Sequence, residues 1–249
     1  MNNIQTFSQN SEQYAKHRPQ YPDELFSYLG DLTPSRASAW DCATGNGQAA
    51  VSLAKHFEHV EATDLSAEQI EHATPHPKVR YSVAPAEQTP FASQSFDLVT
   101  VATAAHWFDQ QKFHREVERV LKPSGILAVW TYGEFTVEPE IDKIIRIELL
   151  EPIDRFWASG NRTVLNGYRD LPMPLEEIRT PSFSIQMDWT LEQFVAYMRT
   201  WSAVKRFTAE LGVDPVTGTE EKLREIWDEP ETTRSVYMPL FVKASRKPN

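Results

Sequence analysis

Ala39-Trp40-Asp41-Cys42-Ala43-Thr44-Gly45-Asn46-Gly47-Gln48 decides the reading of this chain. It starts apolar, turns through small residues and opens onto a run with Ala50, Leu53, Ala54 and Phe57 at i, i+3, i+4 and i+7. That pattern predicts a buried strand, a tight turn and a helix, which is how an α/β sheet makes room for a nucleotide-like ligand at a strand's carboxyl end. Small residues suit the turn because a ligand must approach the backbone closely there.

Working outward, the alternation continues. Val60 to Thr63 reads as a second strand closing on Asp64, and Ser66 with Gln69 as a capping box opening a helix toward Ala73. Val79 to Val83 is a third strand, Ala84 to Ser95 a loop, and Phe96 to Thr103 a more continuous apolar run, as expected of a strand covered on both faces. Asp109 can cap a helix carrying Phe113, Val117, Val120 and Leu121, stopped by Lys122-Pro123-Ser124-Gly125 before a fifth strand, Ile126 to Trp130. Upstream, Pro22, Asp23 and Glu24 suit a helix start, Leu25, Phe26 and Leu29 form its apolar stripe, and Gly30 ends it. From Glu134 the pattern changes to a helix over Ile141 to Leu150 and an irregular aromatic region to about Pro181. Phe183, Ile185, Met187 and Trp189 alternate as a strand, Thr190 and Gln193 form a second capping box, Thr219 to Trp227 is a last helix and Ser235 to Val242 a last strand. The expected fold is α/β: a doubly wound, Rossmann-like, seven-stranded, mostly parallel sheet with helices on both faces and a helical cap inserted after the fifth strand. One domain spans 1–249, divided into an N-terminal flap and helix (1–30), a ligand-binding core (31–133), the cap (134–181) and the rest of the sheet (182–249).

Bulk properties narrow the partner. A formal net charge of −10 over 249 residues opposes binding to phosphate backbones, so a small molecule is expected and no nucleic acid. The polar amino terminus lacks a signal-peptide core, and no run of about 18 apolar residues could span a bilayer, so a cytoplasmic chain with no membrane partner is expected, as a monomer or homodimer. The single cysteine, Cys42, excludes an intrachain disulfide and a Cys-rich metal site. His72 and His76 sit in a Pro-broken stretch with no evident third ligand, so no metal is expected.

Asp41, Ala43, Gly45 and Gly47 resemble the first motif of the class I S-adenosylmethionine-dependent methyltransferases: an acidic residue, then small residues ending in Gly-x-Gly. Ala43 departs from the glycine that many members carry. A carboxylate at Asp41 would repel a pyrophosphate but attract an ammonium or sulfonium, which tilts the choice from a dinucleotide to S-adenosylmethionine. Asp64, 64 − 47 = 17 residues past Gly47, lies near the offset of about 20 at which an acid receives ribose hydroxyls, with Leu65 beside it. The resemblance implies that Ala86 and Glu87 flank the adenine and that Thr103 begins the segment lining the methionyl and substrate side. His106-Trp107-Phe108 is similar to the branch containing trans-aconitate methyltransferases. So is Tyr14-x-x-x-Arg18-Pro19-x-Tyr21-Pro22, in which Tyr14 and Arg18 are candidates for the cofactor's carboxylate.

The expected function is methyl transfer from S-adenosylmethionine to a small molecule, at a carboxylate or hydroxyl oxygen. A carboxylate needs no base, whereas a hydroxyl would use His106 as base; otherwise His106 orients the substrate. Trp107, Trp130 and Tyr132, with Phe156, Trp157 and Tyr168, are candidates to wall the acceptor. Arg155, Arg162, Arg169 and Arg199 could bind an anionic one. The alternatives are an NAD-dependent oxidoreductase, disfavoured because Gly-x-Gly-x-x-Gly is incomplete, and a non-catalytic S-adenosylmethionine-binding protein. Pro239 removes a ladder donor from the last strand, so a bulge is expected there.

Overall fold

A computed structural model describes residues 19–229 and 231–249. The chain runs α1 (Asp23–Leu32), β1 (Ser38–Cys42), α2 (Gln48–Leu53), β2 (His59–Asp64), α3 (Ala67–Glu71), β3 (Val79–Val83), β4 (Phe96–Ala102), α4 (Gln110–Val120) and β5 (Leu121–Tyr132). Then follow α5 (Pro139–Ile145), a π-helical turn (Arg146–Leu150), α6 (Ser159–Leu165), β6 (Glu176–Ile178), β7 (Phe183–Trp189), α7 (Leu191–Arg199), α8 (Ser202–Leu211), α9 (Val216–Arg224) and β8 (Arg234–Arg246).

The strands form one eight-stranded sheet in the order β3-β2-β1-β4-β5-β8-β6, with β7 also on β8. β3 to β5 pair in parallel, and β8 is antiparallel to β5, β6 and β7. Leaving aside the three-residue β6 and numbering the other seven strands in chain order, the order is 3-2-1-4-5-7-6. The strand order reverses across β1 and β4, so the carboxyl ends of those strands splay apart and open a crevice.

Both faces are covered. Along β5, Ile126, Ala128 and Trp130 join Leu25, Phe26 and Leu53 on one side, and Leu127 and Val129 join Trp40, Phe113 and Val117 on the other. The two-residue period of a strand thus sends alternate side chains into two cores, which is why these strands read as continuous apolar runs. Helix starts are set locally. Asp109 accepts from Lys112 N at 3.2 Å and Ser66 from Gln69 N at 3.3 Å, and Thr190 with Gln193 completes a reciprocal capping box.

Some boundaries move. Pro22 is the residue before α1 rather than its first member, and α1 continues past Gly30 to Leu32. The last helix begins at Val216. The bulge expected at Pro239 is absent: Pro239 pairs in regular register with Ser184 of β7. The proline is tolerated because β5's ladder stops one step earlier, at Tyr132 opposite Leu240. Pro239 O accepts from Gly133 N at 2.9 Å, so the residue's polar edge faces the point where the chain leaves β5, and no ladder donor is missed on the β7 side.

Candidate functional site

The turn after β1 is shaped by backbone angles that few side chains adopt. Ala43, Gly45 and Gly47 have φ of 55°, 57° and 86°. Gly47 is required by a neighbouring side chain as well as by its backbone angle: a Cβ there would lie 2.2 Å from the Tyr81 hydroxyl, which donates to Thr74 O at 2.7 Å. Gly45 is different. The nearest atom to a Cβ built on it is Gln69 Oε1 at 3.8 Å, so its outer face is open, as a ligand cradle needs.

Asp41 is not brought to the open side of this turn. It is fully buried and accepts from Thr44 Oγ1 at 2.5 Å and Thr100 Oγ1 at 2.7 Å. Burial, against the help of these hydroxyls, raises its pKa to about 6. The direct attraction of a cation read from the sequence is therefore replaced by support of the turn from beneath. Asp64 does reach the crevice. Its Oδ2 accepts from Gly45 N at 2.9 Å and its Oδ1 from Ser66 N at 2.8 Å, so it ties the β1 and β2 turns together. Each carboxylate oxygen keeps a further lone pair for a hydroxyl.

A cavity of about 780 Å³ lies over these groups, lined by Ala43, Gly45, Asp64, Leu65, Ala86, Glu87 and Thr103 among others. Leu65 is 57 % exposed, an apolar face turned to this cavity rather than to the core. Glu87 Oε1 accepts from Asp109 N at 3.1 Å. The loop carrying Ala86 and Glu87 is held by Arg119, which donates to Phe91 O at 2.6 Å and pairs with Glu116; Glu116 in turn accepts from Thr89 N and Oγ1. From the amino-terminal side, Pro19, Gln20 and Tyr21 complete the wall, with Gln48 Nε2 donating to Pro19 O at 2.7 Å. Sequence reasoning gave Tyr21 only as part of a motif and missed Gln48. Tyr14 and Arg18 lie outside the described residues.

A second cavity, of about 430 Å³, shares Thr103, Trp107 and Tyr132 with the first. His106 is in its wall, with Phe135, Trp157, Tyr197 and Trp201. Trp201 is the hub of those rings, with centroids 5.9 Å from Phe135, 6.0 Å from Trp157 and 5.7 Å from Tyr197. Lys143, Arg146 and Lys205 also line it, as do Glu134, Asp142 and Asp154. Lys143 and Arg146 join no ion pair among the described residues. Asp142 accepts from Val137 N at 2.9 Å, and burial raises its pKa. His106 Nδ1 lies 2.8 Å from the Tyr168 hydroxyl, and burial lowers the imidazole pKa to about 4, so the ring is neutral near pH 7.

Several expected acceptor-side residues are elsewhere. Trp130 is fully buried beneath the site, edge-on to Tyr21 and Phe26 with centroids at 5.5 and 6.0 Å. Arg199 is committed to Asp214 and Glu220, and Arg155 to Glu210. None of the four arginines lines the cavity; the cations that do come from α5, its π-turn and α8. The spacing of Asp142, Lys143 and Arg146 on the Ile141 helix carried that signal.

The donor set fits S-adenosylmethionine: an open glycine cradle, a carboxylate with lone pairs to spare, an apolar platform and small residues on the facing loop. Comparison with known proteins agrees. A family model described as a methyltransferase domain matches residues 40–129. A Dictyostelium discoideum protein carrying a methyltransferase name is 31 % identical over 248 residues, covering 97 % of this chain and 94 % of its own. A Saccharomyces cerevisiae protein named for S-adenosylmethionine-dependent methyl transfer is 27 % identical over 77 % of this chain and 78 % of its own. A solved structure from Anaeromyxobacter dehalogenans, described as a type II methyltransferase, superposes with a TM-score of 0.88 at 39 % identity, covering 93 % of this chain and 99 % of that one. With its turn, its sheet order and relatives matched along nearly the whole length, this chain belongs to the class I S-adenosylmethionine-dependent methyltransferases.

Proposed function

We propose that the chain methylates an oxygen of a small molecule, a carboxylate in preference to a hydroxyl. The observation that carries this reading is the second cavity: small, aromatic-walled, and joined to the cofactor cavity at Thr103, Trp107 and Tyr132. S-adenosylmethionine, when bound, supplies the methyl group on a sulfonium that is displaced in line by the acceptor. Gly45, Asp64, Leu65, Ala86 and Glu87 would hold it, with Pro19, Gln20 and Tyr21 along the same wall. The helices after β5 would cap the acceptor side.

The protein's own task is alignment and exclusion of water. An imidazole with a pKa of about 4 is a poor base for a hydroxyl that releases its proton near pH 10, and a carboxylate needs none. Lys143, Arg146 and Lys205 offer charge to hold such an anion. The test is transfer of labelled methyl from S-adenosylmethionine by the full chain to a panel of small acids, phenols and amines. Base-labile label in the acids supports the reading; label confined to amines, or found only in macromolecules, overturns it.

A further inference from the structure

His106 and Tyr168 form a pair that methyl transfer to a carboxylate leaves without a task. Tyr168 stands 62 residues downstream and is completely buried, with its hydroxyl 2.8 Å from His106 Nδ1. It occupies the left-handed region with φ 56°, directly after Gly167 at φ 64°. A bulky side chain is rarely placed there, and here the turn is fixed by Tyr168 N donating to Thr163 O and Leu171 N to Tyr168 O, both at 3.0 Å. The outcome of this backbone is a phenol driven under the segment that carries His106.

The direction of the hydrogen bond follows from relative basicity. An imidazole imine nitrogen, with an ordinary conjugate-acid pKa near 6.5, is a far better acceptor than a phenol oxygen, and a phenol is the better donor. The other ring nitrogen has no hydrogen-bond partner among the described residues, and His106 lines the acceptor cavity. Gly160 backs the ring: a Cβ there would meet His106 Cδ2 at 3.1 Å and Trp107 Cζ3 at 3.2 Å, so a larger residue would displace the imidazole.

We propose that Tyr168 is a positioning residue: by donating to Nδ1 it fixes His106 as the tautomer protonated on Nε2, so that the ring presents a hydrogen-bond donor to an acceptor oxygen and cannot serve as a base there. The proposal rests on the methyl-transfer reading for its consequence, but the tautomer is measurable without any acceptor. The experiment is long-range proton–nitrogen NMR of the full chain carrying labelled histidine, with the His106 signals identified by their loss in His106→Gln. The expected result is an unprotonated, hydrogen-bonded Nδ1 and a protonated Nε2 in the native chain, and a mixture of tautomers in Tyr168→Phe. A native His106 protonated on Nδ1, or a tautomer unmoved by Tyr168→Phe, overturns the proposal. If Tyr168→Phe does not fold, the native spectrum still decides.

With an acceptor in hand, Tyr168→Phe should lower kcat about tenfold with unchanged affinity for S-adenosylmethionine. His106→Gln, which keeps an amide donor near the place of Nε2, should retain more activity than His106→Asn; equal loss in the two overturns the donor role. Failure of every small acid as acceptor, with the Nε2–H tautomer seen, would remove the acceptor reading and leave the pair intact.

Discussion

The two cavities are built by different means. The cavity proposed for the cofactor is made largely from the small-residue turn around Gly45 and the carboxylates of Asp64 and Glu87, contributed by short loops at the ends of β1, β2, β3 and β4, with Pro19 to Tyr21 beside them. The cavity proposed for the acceptor is made from long side chains gathered from β5, α5, α6, α7 and α8. A site made of backbone is fixed by turn chemistry close in sequence. A site made of side chains depends on helix packing over long separations, so its chemistry can change while the sheet does not.

The largest effect of a single substitution is expected at Gly47. Gly47→Ala sets a methyl group against the Tyr81 hydroxyl at a backbone angle unsuited to alanine, and should cost on the order of 3 kcal/mol in denaturant unfolding. Shortening Tyr81 in the same chain should return part of that loss, since the contact is removed and only the backbone term remains. No recovery would mean that the glycine serves the angle alone.

Asp41 gives the next largest effect. Its folded-state pKa of about 6 lies above the ordinary 3.8, chiefly because of burial, so the folded chain holds this proton longer than the unfolded one. Stability therefore falls as pH rises from about 4 to about 6, by on the order of 3 kcal/mol from this group once both states are ionised. Unfolding of the ligand-free chain across that window, with Asp41→Asn as reference, checks it: the difference between the two should change with pH only there.

On the acceptor side, Trp157→Ala should raise the KM of the acceptor about tenfold, because an aromatic wall is lost, and leave S-adenosylmethionine affinity unchanged. Weakened cofactor binding in this variant would show that the two cavities are one. The smallest effect is expected at Arg199. Its partners Asp214 and Glu220 are at the surface, so Arg199→Ala should change stability by less than about 1 kcal/mol and leave acceptor KM unmoved.

How much of this was legible follows the same division. The turn, Asp64 and the strand order could be read because they depend on contiguous patterns: small residues after an apolar run, and strands alternating with helices. Even there, the direction of Asp41 could not be read, since nothing local announces that Thr100, 59 residues on, would take its carboxylate inward. Trp130 and Tyr132 share one face of β5 and looked equivalent. Trp130 is one step deeper, under Tyr21 and Phe26, while Tyr132 ends the strand and meets both cavities. Tyr168 was a candidate wall residue, but its contact with His106 depends on two successive left-handed residues that sequence alone does not announce. Pro239 looked like a defect because the sequence does not show where β5 stops.

Whether cofactor and acceptor are held by separate sets of residues meeting at Thr103, Trp107 and Tyr132 can be decided by calorimetric titration of S-adenosylmethionine into the full chain, Asp64→Ala and Trp201→Ala. One molecule should bind per chain, weakened by about 1 to 3 kcal/mol in Asp64→Ala and unchanged in Trp201→Ala. Equal affinity in the native chain and Asp64→Ala, or a loss confined to Trp201→Ala, would contradict it.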